Sequence, residues 1–592
     1  MCGIAGWQTT DGHGRDLADL DAMAAAIAHR GPDDHGVYTD AAAGIALAHR
    51  RLSIIDLTAA GHQPMTSADG SVVLAFNGEL YNYQDLRREL AATGCPFHSR
   101  SDTEVVVNAL ARWGTDALAR FDGMFALAAW YTRERRLLLA RDPLGMKPLY
   151  FTTRGMAGGI AFASEIKAFL VLRGFSAEVN PRSLKQYLEF GYVFDDHATT
   201  LAGVGKLPPG HSMEIVGGRA APPRAFYRPP AVAARGTRTV AERADLLHET
   251  LSTVVRQHLV ADVPVGLLLS GGLDSSILAA LAARETRITT LCMGFAESRV
   301  DERAFAATVA RHIGSEHREF LIRQDEVVEN LEEVVWCFDD LFADWGTVST
   351  RLLYGKCREQ GIKVVLVGEG SDELFGGYSM FGAAQRTRGP MLWRLFQLYR
   401  RYAGRRYGSQ FPAFVSVMRR RLAQGGGSLF EAVRLFESRN QLPNNYVMKV
   451  DKASMSVSVE ARAPYLDRRV ADIAYATPEE QLLAEGTDKW VLRLMAERHT
   501  LLPPTITRRP KFGGSIAASW MDESVAFRRY ARDAILAREG WADALGLRGA
   551  MTQYFDGGRT GYRFPRAISI FSDLAWRLLL LNLWSRKYLA AR

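Results

Sequence analysis

The first residue of this chain that could do covalent chemistry is the cysteine directly after the initiator methionine. In MCGIAGW, the small side chain at position 2 lets an aminopeptidase remove Met1, which leaves Cys2 with a free α-amine beside its thiol. A thiol is an effective nucleophile near neutral pH, and an amine with a pKa of about 8 can act as its base. This pair is chemically sufficient to begin attack on an amide carbonyl.

Cleavage of the glutamine side-chain amide also needs an oxyanion hole and groups that hold the charged ends of the amino acid. The motif FNGELYN provides Asn77 and the backbone N–H of Gly78, which can face the developing oxyanion. The motif RLSI provides Arg51, whose guanidinium can hold an α-carboxylate through two hydrogen bonds. Glu79 and Asp102 provide carboxylates for the ammonium group. Each residue alone also suits a turn, a surface charge or a helix N-cap, but here they follow the N-terminal cysteine in one order.

A second group of residues lies where an apolar strand meets a helix, in GLLLSGGLDSSILAA. Glycines in this turn let the backbone approach a phosphate closely. The first turn of the helix directs N–H groups and a positive dipole end at the anion. The spacing differs from that of GxxxxGKS or GxxxxGKT, which excludes the kinase-type loop. The predicted phosphate-binding residues are Ser270, Gly271, Gly272, Leu273, Asp274, Ser275 and Ser276.

Acidic residues follow the next apolar strand, in VGEGSDELFGGY. Glu369 and Asp372 stand just after IKVVLV, where open α/β sheets place ligand chemistry. Asp274 and Asp372 are candidates to share a magnesium ion with a triphosphate, and Glu369 could accept the proton that attacking ammonia sheds. Lys489, in EGTDKWVLR, could neutralise departing pyrophosphate. The alternative interpretation of GSDE is a helix N-cap.

These motifs resemble known families. The first set resembles the class II glutamine amidotransferase domain over about residues 2–170, and SGGLDSS resembles the PP-loop of enzymes that cleave ATP to AMP and pyrophosphate. The loop alone is also compatible with NAD synthetase, GMP synthetase or a tRNA-thiolating enzyme. With GEGSDELFGGY, EARAPYLD and the late lysine, nearly the whole chain resembles the glutamine-hydrolysing asparagine synthetase family.

The resemblance implies further features of the site. In that family, the backbone around Leu268 and Met293–Gly294 holds adenosine, and Gly368 belongs to the nucleotide site. ATP is a substrate, Mg²⁺ is the metal cofactor, and an internal passage carries ammonia from glutamine to a carboxylate activated as an acyl-adenylate. The default acceptor is aspartate, and relatives often form homodimers.

The residue patterns agree with the fold that the resemblance implies. That fold is an α+β N-terminal-nucleophile hydrolase with αββα layers, followed by an α/β PP-loop domain with a mostly helical C-terminal part. Alternating apolar runs predict antiparallel strands up to about residue 205, interrupted by helices at Leu17–His29 and Tyr83–Ala92. Strand–helix alternation from about residue 240 predicts a parallel sheet covered on both faces. The predicted domains are 2–210 (glutaminase), 211–238 (Pro/Gly-rich linker) and 239–592 (synthetase).

Composition narrows the class of protein. Charged residues make up 23% of the chain and the net charge is +8, but the positive excess is spread out, which argues against a nucleic-acid partner. The five cysteines lie far apart without a CxxC pair, which argues against a zinc site or a disulfide framework. A signal peptide and an uninterrupted apolar run long enough to span a membrane are both missing. We therefore expect a cytoplasmic enzyme acting on small molecules, with no membrane partner.

Three residues depart from the family pattern and leave the acceptor open. Val367 stands where serine is common before GEG, and Trp345 and Arg351 occupy a stretch in which relatives carry small polar residues. The principal alternative is the same chemistry on another carboxylate, such as a sugar acid, a peptide or a secondary metabolite. Ring closure, glutaminase activity alone and a non-catalytic scaffold are further alternatives. The retained cysteine disfavours ring closure.

Overall fold

The computed structural model describes residues 2–10, 15–230, 237–295, 302–403, 409–484, 486–509, 521, 524–556 and 570–589 of the 592-residue chain. Its strands are β1 (Gly3–Gln8), β2 (Asp34–Asp40), β3 (Ile45–Arg51), β4 (Met65–Thr66), β5 (Val72–Leu80), β6 (Gly123–Tyr131), β7 (Arg136–Arg141), β8 (Tyr150–Thr152), β9 (Ile160–Ala163), β10 (Val204–Lys206), β11 (His211–Val216), β12 (Arg219–Ala220), β13 (Arg224–Ala225), β14 (Val265–Leu268), β15 (Thr289–Phe295), β16 (Glu316–Ile322), β17 (Val364–Leu366) and β18 (Glu460–Arg462).

The α-helices cover both domains. They are α1 (Leu17–Ala26), α2 (Tyr83–Ala92), α3 (Asp102–Trp113), α4 (Lys167–Leu170), α5 (Pro181–Phe190), α6 (Val240–His258), α7 (Leu273–Glu285), α8 (Arg303–Ile313), α9 (Gln324–Glu329), α10 (Leu331–Phe338), α11 (Thr347–Glu359), α12 (Ser371–Phe375), α13 (Ser379–Arg386), α14 (Met391–Tyr402), α15 (Phe411–Gln424), α16 (Leu429–Phe436), α17 (Val447–Met455), α18 (Arg468–Ala476), α19 (Glu479–Leu482), α20 (Trp490–Arg498) and α21 (Pro504–Thr507), followed by Val525–Ile535, Trp541–Ala544, Arg548–Asp556 and the C-terminal helix Ile570–Tyr588. A π-helical segment, Glu437–Tyr446, joins α16 to α17.

Strands β1 to β13 form two antiparallel sheets, ordered β10-β8-β9-β1-β3-β2 and β12-β11-β7-β6-β5-β4 with β13 beside β11. Alternating side chains are buried on both faces of the central strands β1, β3, β5, β6 and β7, whereas β2 is partly exposed and β12 is exposed. Ile4, Val73 and Trp130 share one core between the sheets, whereas Ala5 and Trp7 belong to the core that contacts the helices. Helix α1 covers the first sheet and α3 covers the second. These layers are the predicted αββα arrangement.

The second domain contains a parallel sheet ordered β16-β15-β14-β17-β18. The chain order reverses between β14 and β17, so the loops after these two strands diverge and leave a crevice at the carboxyl edge. The glycine-rich motif SGGLDSS begins in the loop after β14, and the acidic motif GEGSDE begins in the loop after β17. The remainder of the domain is mostly helical, as predicted, and none of the helices described here is long and apolar enough to cross a membrane.

Two local expectations can be compared directly with the elements. Helix α2 matches the predicted helix at Tyr83–Ala92, and α1 ends at Ala26, three residues before the predicted end, because a 3-10 turn follows at Ala28–Arg30. The predicted linker 211–238 includes β11, which pairs with β7 along five residues. The first part of that passage is therefore bound into the second sheet, and the domain boundaries stay a prediction.

A buried network of charges joins the two domains. Arg30 contacts Glu165 (2.8 Å) in the first domain and Asp451 (3.0 Å) on α17 of the second. Lys147 reaches the same aspartate at 3.3 Å, and all four side chains are almost fully excluded from solvent. Because an unpaired buried charge is very costly, removal of one partner destabilises such a network strongly. The network therefore sets how the glutaminase domain sits on α17.

We expect Arg30→Met to destabilise the protein by about 3–5 kcal/mol, because Glu165 and Asp451 would lose their shared cation. The measurement is the midpoint of denaturant unfolding, followed by far-UV circular dichroism. Arg88→Met is the matched control, since Arg88 pairs with Asp85 on the surface, where ion pairs contribute little. Equal midpoints for both variants would contradict the structural role of the network.

Candidate active sites

The amino end of β1 places Cys2 in a buried position between the two domains. Its backbone nitrogen, the atom that becomes the α-amine once Met1 is removed, donates to Oδ1 of Asn77 at 3.1 Å. Its carbonyl accepts a hydrogen bond from Nε of Arg30 at 3.1 Å. Burial raises the pKa of the Cys2 thiol. The thiol is therefore protonated at neutral pH and needs a base to become nucleophilic.

Asn77 lies on β5 with its side-chain nitrogen buried. This Nδ2 has no hydrogen-bond partner among the residues that the structure describes. A buried, unsatisfied donor is costly unless a ligand completes it. Gly78 follows on the same strand, and a Cβ there would come within 2.3 Å of the Met124 carbonyl on β6. The strand pairing thus requires glycine, and Asn77 offers a free donor beside the Cys2 nitrogen.

Arg51, at the end of β3, is held by a tight loop. Its guanidinium donates to the carbonyl of Thr58 at 3.0 Å and to that of Asp56. A Cβ at Gly61 would lie 1.9 Å from its Nη2, so only glycine allows this packing. Within the described part of the chain, Arg51 makes no ion pair. Its buried charge is oriented but not neutralised, which suits recognition of a carboxylate.

Two acidic side chains meet near the end of β5. Oδ2 of Asp102, at the start of α3, accepts from the Leu80 backbone N–H at 2.9 Å, and burial raises the pKa of Asp102 to about 6. Glu79 forms an ion pair with Arg462 of the second domain at 3.2 Å. Burial raises the pKa of Glu79 well above its usual value, although Arg462 opposes this shift. A second-domain residue thus contacts a predicted glutamine-binding residue.

The loop after β14 has the shape of a phosphate cradle. Gly271 has φ +69°, and a Cβ there would lie 2.6 Å from the Ala306 backbone nitrogen, so glycine is required. Ser270 and Ser275 approach each other at 3.1 Å between their hydroxyl oxygens. Ser276 on α7 has a buried hydroxyl without a partner in the described residues. The predicted adenosine-side residues Leu268, Met293 and Gly294 lie at the carboxyl ends of β14 and β15, and Gly368 approaches Ser275 and Asp274 from the loop after β17.

Lys489 connects the two loops of the crevice. Its Nζ lies 2.6 Å from Asp274 and 2.7 Å from Asp372. Burial alone lowers the pKa of Lys489, but the two carboxylates outweigh this and raise the pKa above its usual value. A Cβ at Gly377 would overlap Asp372 and the Lys489 stem, at 1.9 and 2.2 Å. The three predicted residues from distant parts of the chain therefore form one cluster, and glycine at position 377 leaves room for it.

Glu369 lies half-buried in the loop after β17. Burial raises its pKa, while the nearby Lys449 on α17 opposes the shift and the carboxylates of Asp372 and Asp274 add to it. Lys449 in turn pairs with Asp344 at 3.3 Å. A glutamate with a raised pKa is suited to accept a proton near neutral pH.

The residues that depart from the family pattern are directed into packing. Trp345 stacks on Trp576 of the C-terminal helix, with ring centroids 4.5 Å apart and an interplanar angle of 12°. Arg351 donates to Asn330 at 2.9 Å. Val367 is buried and donates its backbone N–H to the Arg462 carbonyl on β18. Each of the three residues therefore has a contact within the protein, but Nε1 of Trp345 and Nε of Arg351 are buried donors with no hydrogen-bond partner among the described residues.

Three residues that complete the two sites were not among the residues predicted from the sequence. Arg30 lies in HRGPDDHG, Asp451 in KVDKASM and Arg462 in EARAPYLD. The motifs themselves were the available signal, because a polar residue inside an apolar helix or strand predicts a buried partner. The partners lie in the other domain, and no local pattern identifies them.

Comparison with known proteins agrees with this arrangement. A model described as "Glutamine amidotransferase domain" matches residues 1–227, and one described as "Asparagine synthase" matches residues 246–586. A Mycobacterium tuberculosis protein, provisionally named a glutamine-hydrolysing asparagine synthetase, is 33% identical over 87% of both chains. Glutamine-hydrolysing asparagine synthetase 1 of Bacillus subtilis is 30% identical over 82% of both chains. The enzyme so named from Zea mays is 29% identical over 85% of this chain and 75% of its own. The chain belongs to the glutamine-hydrolysing asparagine synthetase family. Members of this family are ligases that join an amidotransferase domain to an ATP-using synthetase domain.

Proposed function

We propose that this enzyme converts aspartate to asparagine. ATP activates the side-chain carboxylate as an acyl-adenylate with release of pyrophosphate, and ammonia from glutamine then displaces AMP. The observation that carries the proposal is the Asp274–Lys489–Asp372 cluster beside Glu369, in a chain whose amino-terminal cysteine adjoins a free amide donor. The relatives are named asparagine synthetases, which supports aspartate as the acceptor.

In the glutaminase half, the α-amine of Cys2 takes the thiol proton as sulfur attacks the amide carbon. Nδ2 of Asn77 and the Gly78 backbone N–H stabilise the oxyanion. Arg51 binds the α-carboxylate, and the Asp102 and Glu79 carboxylates hold the ammonium group. The orientation of the Arg51 guanidinium and the burial of Glu79 and Asp102 support these roles. Both acids must be ionised to hold the ammonium group, and their raised pKa values oppose ionisation until that cation is bound.

In the synthetase half, the turn from Ser270 to Ser276 holds the phosphates, and Lys489 neutralises pyrophosphate as it leaves. Magnesium needs only one or two carboxylates when phosphates and water complete its shell, and Asp274 with Asp372 provides such a pair. No described group of three acidic, histidine or cysteine side chains offers an all-protein metal cage. The bound ion would supply charge neutralisation of the triphosphate.

Ammonia must reach the acyl-adenylate without meeting bulk water, because ammonium has no free electron pair and water hydrolyses the intermediate. Helix α17 is the element that faces both sites, since it carries Asp451 toward Arg30 and Lys449 toward Glu369. Tyr354 of α11 packs on α17 within electrostatic range of Glu369 and Asp451. We place the passage along this face of α17.

The acceptor alternatives depended on the unusual residues near the site. Trp345 and Arg351 are held by Trp576 and Asn330, but each keeps one buried donor without a partner in the described residues, so their contacts do not decide the acceptor. Another carboxylate is the less favoured proposal because the relatives are named asparagine synthetases. The homodimer and the cytoplasmic location stay predictions.

The acceptor is tested by incubating the enzyme with ATP, Mg²⁺, glutamine and a panel of carboxylates while pyrophosphate release is measured. We expect aspartate to give the largest rate and to yield asparagine. A larger rate with a sugar acid or a peptide would reject aspartate as the substrate.

Cys2→Ala should abolish asparagine formation from glutamine and leave formation from ammonium salts within about twofold, because the synthetase site is separate. Gly377→Ala should abolish asparagine formation from either nitrogen source and leave glutamine hydrolysis intact, since its Cβ would overlap the Lys489 cluster. Glutamine hydrolysis and asparagine formation from each nitrogen source are measured for both variants. Loss of ammonia-dependent synthesis in Cys2→Ala would contradict the two-site mechanism.

Glutamine use should depend on pH through Asp102, whose pKa is about 6. Because the ionised form binds the ammonium group, we expect kcat/KM for glutamine hydrolysis to fall below pH 6, approaching tenfold per unit. Asp102→Asn should lower kcat/KM and flatten this limb of the profile. Ammonia-dependent synthesis by the same variant is the control. An unchanged acid limb in Asp102→Asn would assign the titration to another group.

A further inference from the structure

A cavity of about 490 Å³ lies between the amidotransferase domain and the helices α15, α16 and α18. One wall comes from the segments at 196–197, 208–211 and 225–230, and the opposite wall from residues 420–439 and Tyr475. None of the residues assigned above to the glutamine or nucleotide sites lines it. Its volume falls in the range of small-molecule sites.

The lining of this cavity is strongly cationic. It contains five arginines and two carboxylates, and these are Arg228, Arg420, Arg421, Arg434, Arg439, Asp196 and Glu431. Glu431 pairs with Arg434, and Asp196 pairs with Arg421 at 3.3 Å. The acids are therefore engaged by cations already present, which leaves an excess of positive charge facing the space.

Arg439 is the most strongly positioned of these cations. Its two terminal nitrogens donate to the carbonyl oxygens of Pro143 (3.1 Å) and Pro209 (3.0 Å). In the described part of the chain, neither Arg439 nor Arg228 forms an ion pair. Burial lowers the pKa of Arg421; Asp196 opposes this shift, and repulsion from Arg439 and Arg420 adds to it. Cations held by neutral carbonyls and repelling each other would be stabilised by an anion.

The remaining lining includes prolines and tyrosines, among them Pro208, Pro229 and Tyr227, together with His197, His211, Ala225, Gln424, Gly425 and Leu435. Such walls accommodate a small organic body, while guanidinium groups recognise phosphate or carboxylate oxygens through paired hydrogen bonds. We propose that this cavity binds a small multivalent anion, a phosphorylated or polycarboxylate metabolite, as an effector of the enzyme. Phosphate and carboxylate oxygens both accept the paired hydrogen bonds that arginine side chains donate.

Occupancy would be communicated through a continuous helical path. Arg439 lies in the Glu437–Tyr446 segment, which runs directly into α17 with Lys449 and Asp451. The same segment contacts the first domain through Asn440, which donates to Asp196 at 2.7 Å on the cavity wall. An anion that draws these walls together therefore changes the position of α17 relative to the first domain. This regulatory consequence depends on the proposed ammonia transfer, whereas anion binding does not.

The test is isothermal titration of the full-length enzyme with citrate and, separately, with inorganic tripolyphosphate. A non-hydrolysable ATP analogue at saturation occupies the nucleotide site, and ionic strength is kept low because salt screens such contacts. The variant is Arg228→Gln/Arg420→Gln, which alters exposed side chains. The matched control is Arg419→Gln, an exposed neighbour on α15 that does not line the cavity.

We expect one saturable site for at least one probe, with affinity reduced roughly tenfold or more in the double variant and unchanged in Arg419→Gln. The preferred probe distinguishes phosphate from carboxylate. Absence of saturable binding, or equal affinity in the double variant, would overturn the site. The second readout is glutamate released per asparagine formed, with and without the bound probe. Binding that leaves this ratio unchanged would overturn the regulatory role, and an enzyme that binds the probe but makes no asparagine would fail the proposed function alone.

Discussion

The interaction on which the rest of this structure depends is the buried contact of Arg30 with the Cys2 carbonyl, Glu165 and Asp451. One guanidinium fixes the backbone of the nucleophile and, at the same time, fixes α17 of the other domain. Because Arg30 contacts Cys2 and Glu165 in the first domain and Asp451 in the second, a relative shift of the domains would break a buried ion pair. Relative position is therefore a matter of electrostatics as much as of apolar packing.

The two sites differ in how they handle charge. Around Cys2, burial raises the pKa of Glu79 and Asp102, and Nδ2 of Asn77 has no hydrogen-bond partner among the described residues. In the crevice of the parallel sheet, Lys489 already lies between two carboxylates, and a triphosphate with its metal would redistribute these contacts. The first site contains a buried polar group without a partner, which a ligand can satisfy. The second site contains ion pairs, which a ligand and its metal can replace.

The seam between the domains also explains the arginine-lined cavity. Strand β11 and the segments around it end against a helical region in which Arg439 is fixed by backbone carbonyls, whereas Arg421 and Arg434 pair with Asp196 and Glu431. Where Arg30 finds two carboxylates, Arg439 finds none in the described residues. The same boundary thus contains the Arg30 network near Cys2, whose charges are paired, and the arginines of the cavity, which outnumber the carboxylates there. Helix α17 and the helical segment before it connect the two.

The sequence by itself determined the chemistry of each half. Local motifs predicted Cys2, Asn77, the SGGLDSS turn and Lys489 as site residues, because reactive groups, turn glycines and strand ends leave signals within a few residues. Residue patterns also predicted antiparallel strands followed by a parallel sheet, whereas the αββα layers were implied by the family resemblance. Only the tertiary structure decided that Arg462 meets Glu79, that Arg30 meets Asp451, and that Trp345 packs on the C-terminal helix instead of lining a site. The physical reason is that these contacts join residues hundreds of positions apart, and the energy of a buried charge or a stacked ring depends on a partner that no local pattern specifies.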